Sequence, residues 1–264
     1  MAVASEKQYV QPKITLVGAG PGDPDLISIK GVNALKTANV ILYDALVDER
    51  MLDHAPNTSI KVFVGSPSGD ENFSQEVVNQ LMVDYALNFG HVVRLKGGDL
   101  FVFGRGYEEL DYAASYSIET EIVPGISSAI SVPGLQGIPV THKGTSESLW
   151  ILSGTDKKGD LSPELRSAAR STATVVVLLG FNRLAEIIAI YQEVGKGGLP
   201  AAIIQNGSMK NEKVAIGLVN TLIEVAEEKG INNVGPVLLL FGASVGLHPE
   251  FQPIKQFFEL SSQN

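Results

Sequence analysis

Short apolar stretches alternate with amphipathic ones along the chain, and this alternation restricts the fold more than any other feature of the 264-residue sequence. In the N-terminal half, we predict strands at 14–18, 40–44, 61–65, 92–96 and 120–124. The segments between them predict helices at 26–38, 48–54, 74–89 and 106–116. Because strands that alternate with helices pair in parallel, the pattern predicts an α/β fold with a largely parallel sheet.

The helix at 74–89 shows the pattern most clearly. Val77, Leu81, Tyr85 and Phe89 recur at helical spacing and form one apolar stripe. Ser74 stands directly before it, in the position of an N-cap.

After Pro124 and Gly125 the pattern changes. A helix is predicted at 126–135, then strands near 148–153, 173–179, 200–205, 213–218 and 236–241, and helices at 162–171, 182–194 and 219–229. An Asn-Gly pair at 206–207 indicates a hairpin, which requires antiparallel strands. We therefore predict a second α/β domain with a mixed sheet, with domains at 13–125 and 126–249 and loose tails at 1–12 and 250–264.

The composition excludes several kinds of site. The chain has no cysteine, which rules out disulfides, thiolate metal sites and cysteine nucleophiles. Its 4 histidines lie far apart without the i, i+4 spacing of a helical zinc site, so no metal is expected. The net charge of −9 argues against a nucleic-acid partner, although a local basic cluster can still bind a small anion.

Nothing in the sequence indicates a membrane partner. The first residues have no apolar segment typical of a signal peptide. The strongest apolar runs, at 174–180 and 235–242, are too short to span a bilayer and suit buried strands. The expected location is the cytoplasm.

Unusual residues gather where the predicted strands end. They are GAGPGDPD at 18–25, Asp44, GGD at 97–99 and PGISSA at 124–129. Open α/β sheets bind ligands beyond the carboxyl ends of their strands. This convergence predicts a ligand site at one edge of the N-terminal sheet.

The first of these turns partly fits a dinucleotide site. Gly18 and Gly20 follow a strand, and Asp44 stands where a ribose-binding acid would. However, Asp23 occupies the place of the third glycine and would repel a pyrophosphate, and Pro21 lacks an N–H donor. A tight turn capped by Asp23 or Asp25 is the structural alternative.

A ligand that carries a cation and no phosphate fits better. The bare backbone of Gly97 and Gly98 allows close approach, and Asp99 can accept from an ammonium or a ribose hydroxyl. Ser127 and Ser128 offer donors to a carboxylate. An amino acid joined to a nucleoside has these features, as in S-adenosylmethionine.

The motifs GAGPGDPDLISIKG, VVRLKGGDLFVFGRG, VPGISSA and GIPVTH resemble the tetrapyrrole methylase family, and within it the branch that C-methylates uroporphyrinogen III. The resemblance covers residues 13–246. It implies the class III methyltransferase architecture of two α/β domains, a homodimer, and S-adenosylmethionine bound in a cleft. The substrate would be a small-molecule tetrapyrrole.

Site residues follow from the resemblance by position. It implies that the cofactor contacts Pro21, Gly97, Gly98, Asp99, Val102, Ser127, Ser128, Leu179 and Gly207. It implies that the tetrapyrrole contacts Arg105, Glu108 and Lys143. Asp44 resembles the general base of the family, and its structural alternative is a cap on the helix predicted near 48.

The implied reaction is methylation at carbon, twice, from uroporphyrinogen III to precorrin-2 in sirohaem and cobalamin biosynthesis. A porphyrinogen pyrrole is electron-rich, so its β-carbon can attack a sulfonium methyl directly. A base must then remove a proton as the pyrrole rearomatises or tautomerises.

Several positions depart from the family pattern, most of them where the substrate would bind. They are Ala45, Ser66, Pro67, Leu100, Tyr107, Lys143 and Leu179. The thinned set of cations leaves two alternatives open. One is a sister tetrapyrrole methylase with another acceptor, and the other is a catalytically silent protein that binds the cofactor or a tetrapyrrole.

Overall fold

The computed structural model describes residues 10–65 and 73–251. The chain divides into two compact units, 1–127 and 128–264, and each contains a five-stranded sheet. The predicted domain limits of 13–125 and 126–249 stay a prediction. Most of the two predicted tails lies outside the described residues.

The first unit confirms the predicted parallel sheet. Its strands are β1 (Lys13–Gly18), β2 (Val40–Tyr43), β3 (Ile60–Phe63), β4 (His91–Lys96) and β5 (Glu119–Val123). Its helices are α1 (Ile29–Lys36), α2 (Gln75–Phe89) and α3 (Gly106–Ser115), with 3₁₀ turns at Pro24–Leu26 and Glu49–His54. The strand order is β3-β2-β4-β1-β5, and every pairing is parallel.

This arrangement positions the candidate site. β1 and β4 lie at the centre, and nearly all their side chains are buried, as expected for a parallel sheet covered on both faces. One face packs against α2 and α3, and the other packs against α1 and the 3₁₀ turn at Glu49–His54. Since all five strands are parallel, their carboxyl ends meet at one edge.

Helix α2 begins as predicted but buries a different face. The Ser74 hydroxyl accepts a hydrogen bond from the Val77 N–H at 3.4 Å, as an N-cap does. The predicted stripe of 77, 81, 85 and 89 lies only at the margin of the core, because Leu81 and Tyr85 pack partly buried against it while Val77 and Phe89 are exposed. The buried apolar face consists of Val78, Met82, Val83 and Ala86. The rings of Tyr85 and Phe89 contact each other at 5.7 Å between centroids.

The second unit confirms the predicted mixed sheet. Its strands are β6 (Leu149–Ser153), β7 (Thr174–Leu178), β8 (Pro200–Gln205), β9 (Lys213–Leu218) and β10 (Val237–Phe241). Its helices are α4 (Ser128–Leu135), α5 (Glu164–Arg170), α6 (Leu184–Glu193) and α7 (Leu222–Glu228). The order is β6-β7-β10-β8-β9, with β6 and β7 parallel and the other pairs antiparallel, including the predicted hairpin of β8 and β9.

The helices of both units are short. The longest described helix, α2, has 15 residues, and a membrane-spanning helix needs about 20 apolar residues. In the ranges 10–65 and 73–251, no helix combines the length and apolarity that would let it cross a membrane.

Candidate active site

The glycine-rich turns that follow β1, β4 and β5 meet backbone to backbone, so the predicted convergence is confirmed. Gly20 and Gly98 exchange two hydrogen bonds, at 3.2 and 2.7 Å between N and O. A Cβ added to Gly18 would lie 2.5 Å from the Gly125 Cα, and one added to Gly125 would lie 2.1 Å from the Gly98 O. No side chain fits in that space, so these positions require glycine.

The two glycines after β4 have different surroundings, and their contact with a ligand stays a prediction. A Cβ on Gly97 would lie 2.6 Å from the Cβ of Leu46, so that glycine makes room for a neighbouring side chain. Gly98 has a φ of +69° and, within the described residues, a Cβ there would meet nothing within 4 Å. A side chain at Gly97 would therefore require Leu46 to move, whereas one at Gly98 would be strained by its backbone conformation.

Asp99 links two of the turns. Its Oδ1 accepts from the Phe101 N–H at 2.9 Å, and its Oδ2 accepts from the Gly125 N–H at 3.3 Å. A carboxylate offers about four lone-pair sites, so each oxygen can still accept from a ligand.

Three backbone donors of this edge are already used. The Ala19 N–H donates to the Lys96 O at 2.7 Å, and the N–H groups of Gly20 and Gly98 donate to each other's carbonyl oxygens. A phosphate site needs several free N–H groups at a helix start, and these three groups cannot contribute to one.

The segment after β1 does not lead directly into a helix. The Asp23 side chain accepts from the Asp25 N–H at 3.0 Å and caps the 3₁₀ turn at Pro24–Leu26. Helix α1 begins only at Ile29, where Ser28 caps it through the Gly31 N–H at 3.0 Å. The structural alternative of a capped turn is thus correct for Asp23, and the geometry does not fit a dinucleotide site.

Asp44 stands directly after β2 and is 27% exposed at its side chain. Its Oδ1 accepts from Nη2 of Arg94 at 2.5 Å, and its Oδ2 lies 4.0 Å from Nζ of Lys96. It does not cap the following 3₁₀ turn, because Asp48 does so by accepting from the Arg50 N–H at 2.9 Å. The structural alternative for Asp44 is therefore wrong.

Beneath Asp44 lies a buried charge network that the sequence analysis missed. The Glu109 side chain, 0% exposed, accepts through Oε1 from Nε of Arg94 at 3.0 Å and from Nζ of Lys96 at 2.8 Å. The signal was available in β4, where two cations alternate within an apolar strand and so point to the same face of the sheet.

Burial and charge act in opposite directions in this network. Burial lowers the pKa of the Lys96 ammonium, and the neighbouring Arg94 lowers it further. Burial would also lower the pKa of the Arg94 guanidinium, but Asp44 and Glu109 outweigh it and raise that pKa above its ordinary value. The guanidinium therefore stays a fixed cation beside Asp44.

The remaining predicted residues of the first unit lie around this edge. Pro21, Val102 and Ser127 are half-buried, whereas Arg105 and Glu108 are exposed at the start of α3. Arg105 adopts a left-handed backbone with a φ of 56° directly before the helix.

Four of the predicted residues belong to the second unit. Ser128 begins α4, Leu179 follows β7, Gly207 follows β8, and Lys143 is exposed in a turn. Leu179 is 66% exposed and has a left-handed φ of 55°. Gly207 is buried, and a Cβ there would lie 2.4 Å from Cγ1 of Val132 in α4, so packing inside its own unit explains the glycine.

The departures from the family pattern are only partly within the described residues. Ala45 is exposed, and a Cβ on Gly65 would lie 2.2 Å from the Ala45 N. Ser66 and Pro67 lie outside the described residues. Arg50 does not supply a free cation nearby, because its guanidinium pairs with Asp48 at 2.7 Å.

A metal site does not appear in the part of the chain that the structure describes. Those residues contain no group of three or more His, Asp or Glu side chains that could hold an ion. The chain has no cysteine to add to such a group.

Known proteins share both the sequence and the fold. Residues 13–223 match the family described as tetrapyrrole (corrin/porphyrin) methylases. The uroporphyrinogen-III C-methyltransferase of Methanocaldococcus jannaschii is 37% identical over 229 residues, which cover 86% of this chain and 95% of that protein.

Two further relatives differ in what they add. The siroheme synthase of Actinobacillus pleuropneumoniae serotype 7 is 39% identical over 94% of this chain, but this chain spans about half of its length, 51%. The uroporphyrin-III C-methyl transferase of Thermus thermophilus, solved in complex with S-adenyl homocysteine, is 36% identical with a TM-score of 0.74. That match covers 89% of this chain and 99% of the solved one. The chain belongs to the tetrapyrrole methylase family, a family of methyltransferases.

Proposed function

We propose that this protein transfers methyl groups from S-adenosylmethionine to carbon atoms of uroporphyrinogen III, twice, to give precorrin-2 for sirohaem and cobalamin biosynthesis. One observation carries the proposal. The carboxylate of Asp44 lies at the edge where the glycine turns after β1, β4 and β5 meet, in a member of the tetrapyrrole methylase family. The names of the M. jannaschii and T. thermophilus relatives support the choice of substrate.

The residues of this edge fit S-adenosylmethionine. Among the described residues, a Cβ on Gly98 would meet nothing within 4 Å, and Asp99 retains acceptor capacity. The N–H groups of Ala19, Gly20 and Gly98 are unavailable to a phosphate. The bound cofactor would supply an electrophilic methyl group on a sulfonium. We propose that it is held by Pro21, Gly97, Gly98, Asp99, Val102, Ser127, Ser128, Leu179 and Gly207.

Asp44 would act as the general base. Methylation of a pyrrole β-carbon that already carries a side chain leaves a cationic ring, which must lose a proton from its nitrogen or from a neighbouring carbon. The carboxylate at the end of β2 can accept that proton. Arg105, Glu108 and Lys143 would orient the tetrapyrrole, the two cations by pairing with its carboxylates. Lys143 offers a point charge where an arginine would bind a carboxylate in bidentate fashion.

A different acceptor is the second candidate, and Ala45 favours it. The side chain at this exposed position, next to Asp44, cannot bind a carboxylate, although the family usually has an arginine there. A later tetrapyrrole with fewer or differently placed carboxylates would need that cation less. A protein that binds the cofactor without turnover is the outcome that remains if neither acceptor reacts.

The test is a calorimetric titration of the purified protein with S-adenosylhomocysteine and then, anaerobically, with uroporphyrinogen III, followed by a methylation assay with both substrates. We expect both ligands to bind and two methyl groups to be added. Binding of the nucleoside without methylation of uroporphyrinogen III would contradict the proposed acceptor, and later precursors would be assayed next. Failure to bind S-adenosylhomocysteine would contradict the proposed cofactor site.

The homodimer and the cytoplasmic location stay predictions. Light scattering on the purified chain tests the dimer, which predicts twice the chain mass of 28.1 kDa. Fractionation of the cells that produce the protein tests the location.

A further inference from the structure

We infer that Arg94 is a positioning residue for the reaction, holding the Asp44 carboxylate in the orientation that proton removal requires. The inference rests on the proposed function, since it gives Arg94 a role through Asp44. It is carried by the geometry of the guanidinium, by the buried carboxylate that neutralises it, and by the different surroundings of the two Asp44 oxygens.

The guanidinium of Arg94 is fixed on several sides. Its Nη1 donates to the backbone oxygens of Leu42 at 3.4 Å and Leu95 at 3.3 Å, its Nε donates to Glu109, and its Nη2 donates to Asp44. Its side chain is 4% exposed, so solvent does not compete for these bonds. A planar cation with this many partners has one available orientation.

The sheet ties the same guanidinium to the segment that carries Asp44. Arg94 is paired with Leu42 in the register of β4 and β2, and Asp44 follows β2 two residues beyond Leu42. The Asp44 N–H also donates to the Leu95 O at 3.3 Å. Donor and carboxylate are thus attached to adjacent strands whose relative position is set by backbone hydrogen bonds.

Glu109 offsets the free-energy cost of burying Arg94 and Lys96, because its carboxylate pairs with both cations. Without it, Arg94 and Lys96 would place two like charges side by side away from water. Its Oε1 accepts from both of them, and Nε2 of Gln75 lies 3.3 Å from the same oxygen. The network holds two cations and two carboxylates, so it is neutral as a whole, and Asp44 is its most exposed member.

The two oxygens of Asp44 are left in different states. Oδ1 is bound to Arg94, whereas Oδ2 lies 4.0 Å from Nζ of Lys96, beyond hydrogen-bonding distance. Arg94 therefore selects the oxygen that receives the proton, which is Oδ2. A misplacement of about 1 Å at such a group can cost on the order of 100-fold in rate.

The test is a double-mutant cycle in the full chain with Arg94→Lys, Asp44→Asn and the double variant. Arg94→Lys is preferred to a neutral variant because lysine keeps a positive charge opposite Glu109 but lacks the planar guanidinium with its several donors. We expect it to lower kcat by roughly 10- to 100-fold, to leave KM and S-adenosylhomocysteine binding unchanged, and to have no further effect once Asp44 is Asn. Glu121→Gln, which removes an ion pair at the opposite end of the same sheet, is the matched control and should keep full kcat.

Two results would overturn the inference. One is full kcat in Arg94→Lys, and the other is an equal loss in the presence and absence of the Asp44 carboxylate, which would mean that Arg94 acts on its own. If Asp44→Asn alone retains full kcat, both the proposed base and its positioning residue are rejected.

A readout without turnover separates this inference from the proposed function. In a protein labelled with ¹⁵N at arginine, the Arg94 Nη2–H signal should exchange slowly with water and should shift in Asp44→Asn. A chain that fails to methylate uroporphyrinogen III but shows this shift would contradict the acceptor and keep the contact. The absence of any shift in Asp44→Asn would contradict the contact on which the positioning role depends.

Discussion

The two units bury polar groups of different kinds beneath sheets of the same size. Besides the neutral Thr15 and Asn79, the first buries the charged Arg94, Lys96 and Glu109, whereas all the buried polar groups described in the second are neutral. They are Ser146, Thr174, Gln205, Asn206 and Ser244.

The neutral cluster formed by Ser146, Thr174 and Ser244 in the second unit is explained by local hydrogen bonds. The Thr174 hydroxyl donates to Ser146 Oγ at 2.8 Å and lies 3.0 Å from Ser244 Oγ. The Thr174 N–H donates to the same Ser146 oxygen at 2.9 Å. These contacts join the start of β7 to neighbouring segments, so this group of three hydroxyls needs no ligand to account for it.

The charged cluster needs a further reason. Buried ion pairs are weak stabilisers, because removing the charges from water offsets most of their attraction. A five-stranded sheet can bury neutral polar groups alone, as the second unit demonstrates. The difference suggests that burial of polar groups serves packing in the second unit and orientation of Asp44 in the first.

Removing Glu109 should produce the largest effect on stability. Glu109→Leu leaves Arg94 and Lys96 buried beside each other, and we expect a loss of about 3–5 kcal/mol in the free energy of unfolding. Urea unfolding followed by far-UV circular dichroism measures it. The exposed neighbour is the control, since Glu108→Leu should change stability by less than about 0.5 kcal/mol. Equal effects of the two changes would remove the distinction between the units.

Each unit also contains a place where two glycines pack backbone to backbone, and we expect both contacts to contribute to stability. A Cβ on Gly125 would lie 2.1 Å from the Gly98 O, and one on Gly154 would lie 2.3 Å from the Gly180 Cα. We expect Gly125→Ala and Gly154→Ala each to destabilise the protein by about 1–3 kcal/mol, because backbone must move.

The matched control for this pair is Gly134→Ala in α4, where a Cβ meets nothing within 4 Å among the described residues. It should stabilise the helix by up to about 1 kcal/mol. Thermal unfolding of the three variants ranks them, and an alanine tolerated at 125 would contradict the close approach of the turns.

The neutral cluster should contribute less than the charged one. Thr174→Val keeps the shape of the side chain and removes its hydroxyl, and we expect a loss of about 1 kcal/mol. Trp150, the chain's one tryptophan, lies in β6 of the same unit, so its fluorescence during urea unfolding reports the change. A loss as large as that of Glu109→Leu would mean that buried hydroxyls and buried charges are equivalent here.

The smallest effect concerns an ion pair of the first unit that is not buried. Lys13, at 2.8 Å, and Lys30, at 2.9 Å, lower the pKa of the Glu121 carboxyl from 4.5 to about 2. A lowered pKa means that the contribution of Glu121 is complete above pH 4.5 and is lost as the pH falls towards 2.

Glu121→Gln removes this dependence. The stability difference between the natural chain and the variant should be constant above pH 4.5 and should shrink steadily in acid. Unfolding midpoints measured from pH 2.5 to pH 7 check the prediction. If the stability difference between the two proteins grew as the pH fell, its pH dependence would have the opposite sign, and the ion pair would be excluded as the cause.

The strands and helices could be predicted because each is a short periodic segment between turn residues. The prediction at 92–96 differs from β4 by one residue, and that at 200–205 is the same as β8. The buried face of α2 could not be predicted, since the helix is apolar over a wide arc. Contact with the sheet selected Met82 and Ala86 rather than Val77 and Phe89.

The candidate site was predictable in its position but not in its internal contacts. Asp44, Gly98 and Asp99 follow strands that the sequence identifies, and parallel strands end at one edge. The contact of Arg94 with Glu109 joins a strand to a helix across a glycine-rich turn, so only the fold reveals it. The same is true of Gly97, whose partner Leu46 lies in another loop.

The glycine contact at the sheet edge has a consequence for protein engineering. Where peptide groups touch directly, no residue other than glycine fits, so Gly18 and Gly125 form a fixed frame that directed evolution cannot change. Diversity has to enter at positions whose side chains point outward, such as Ala45 and Tyr107. A library randomised at those two positions would retain the frame and sample new acceptors.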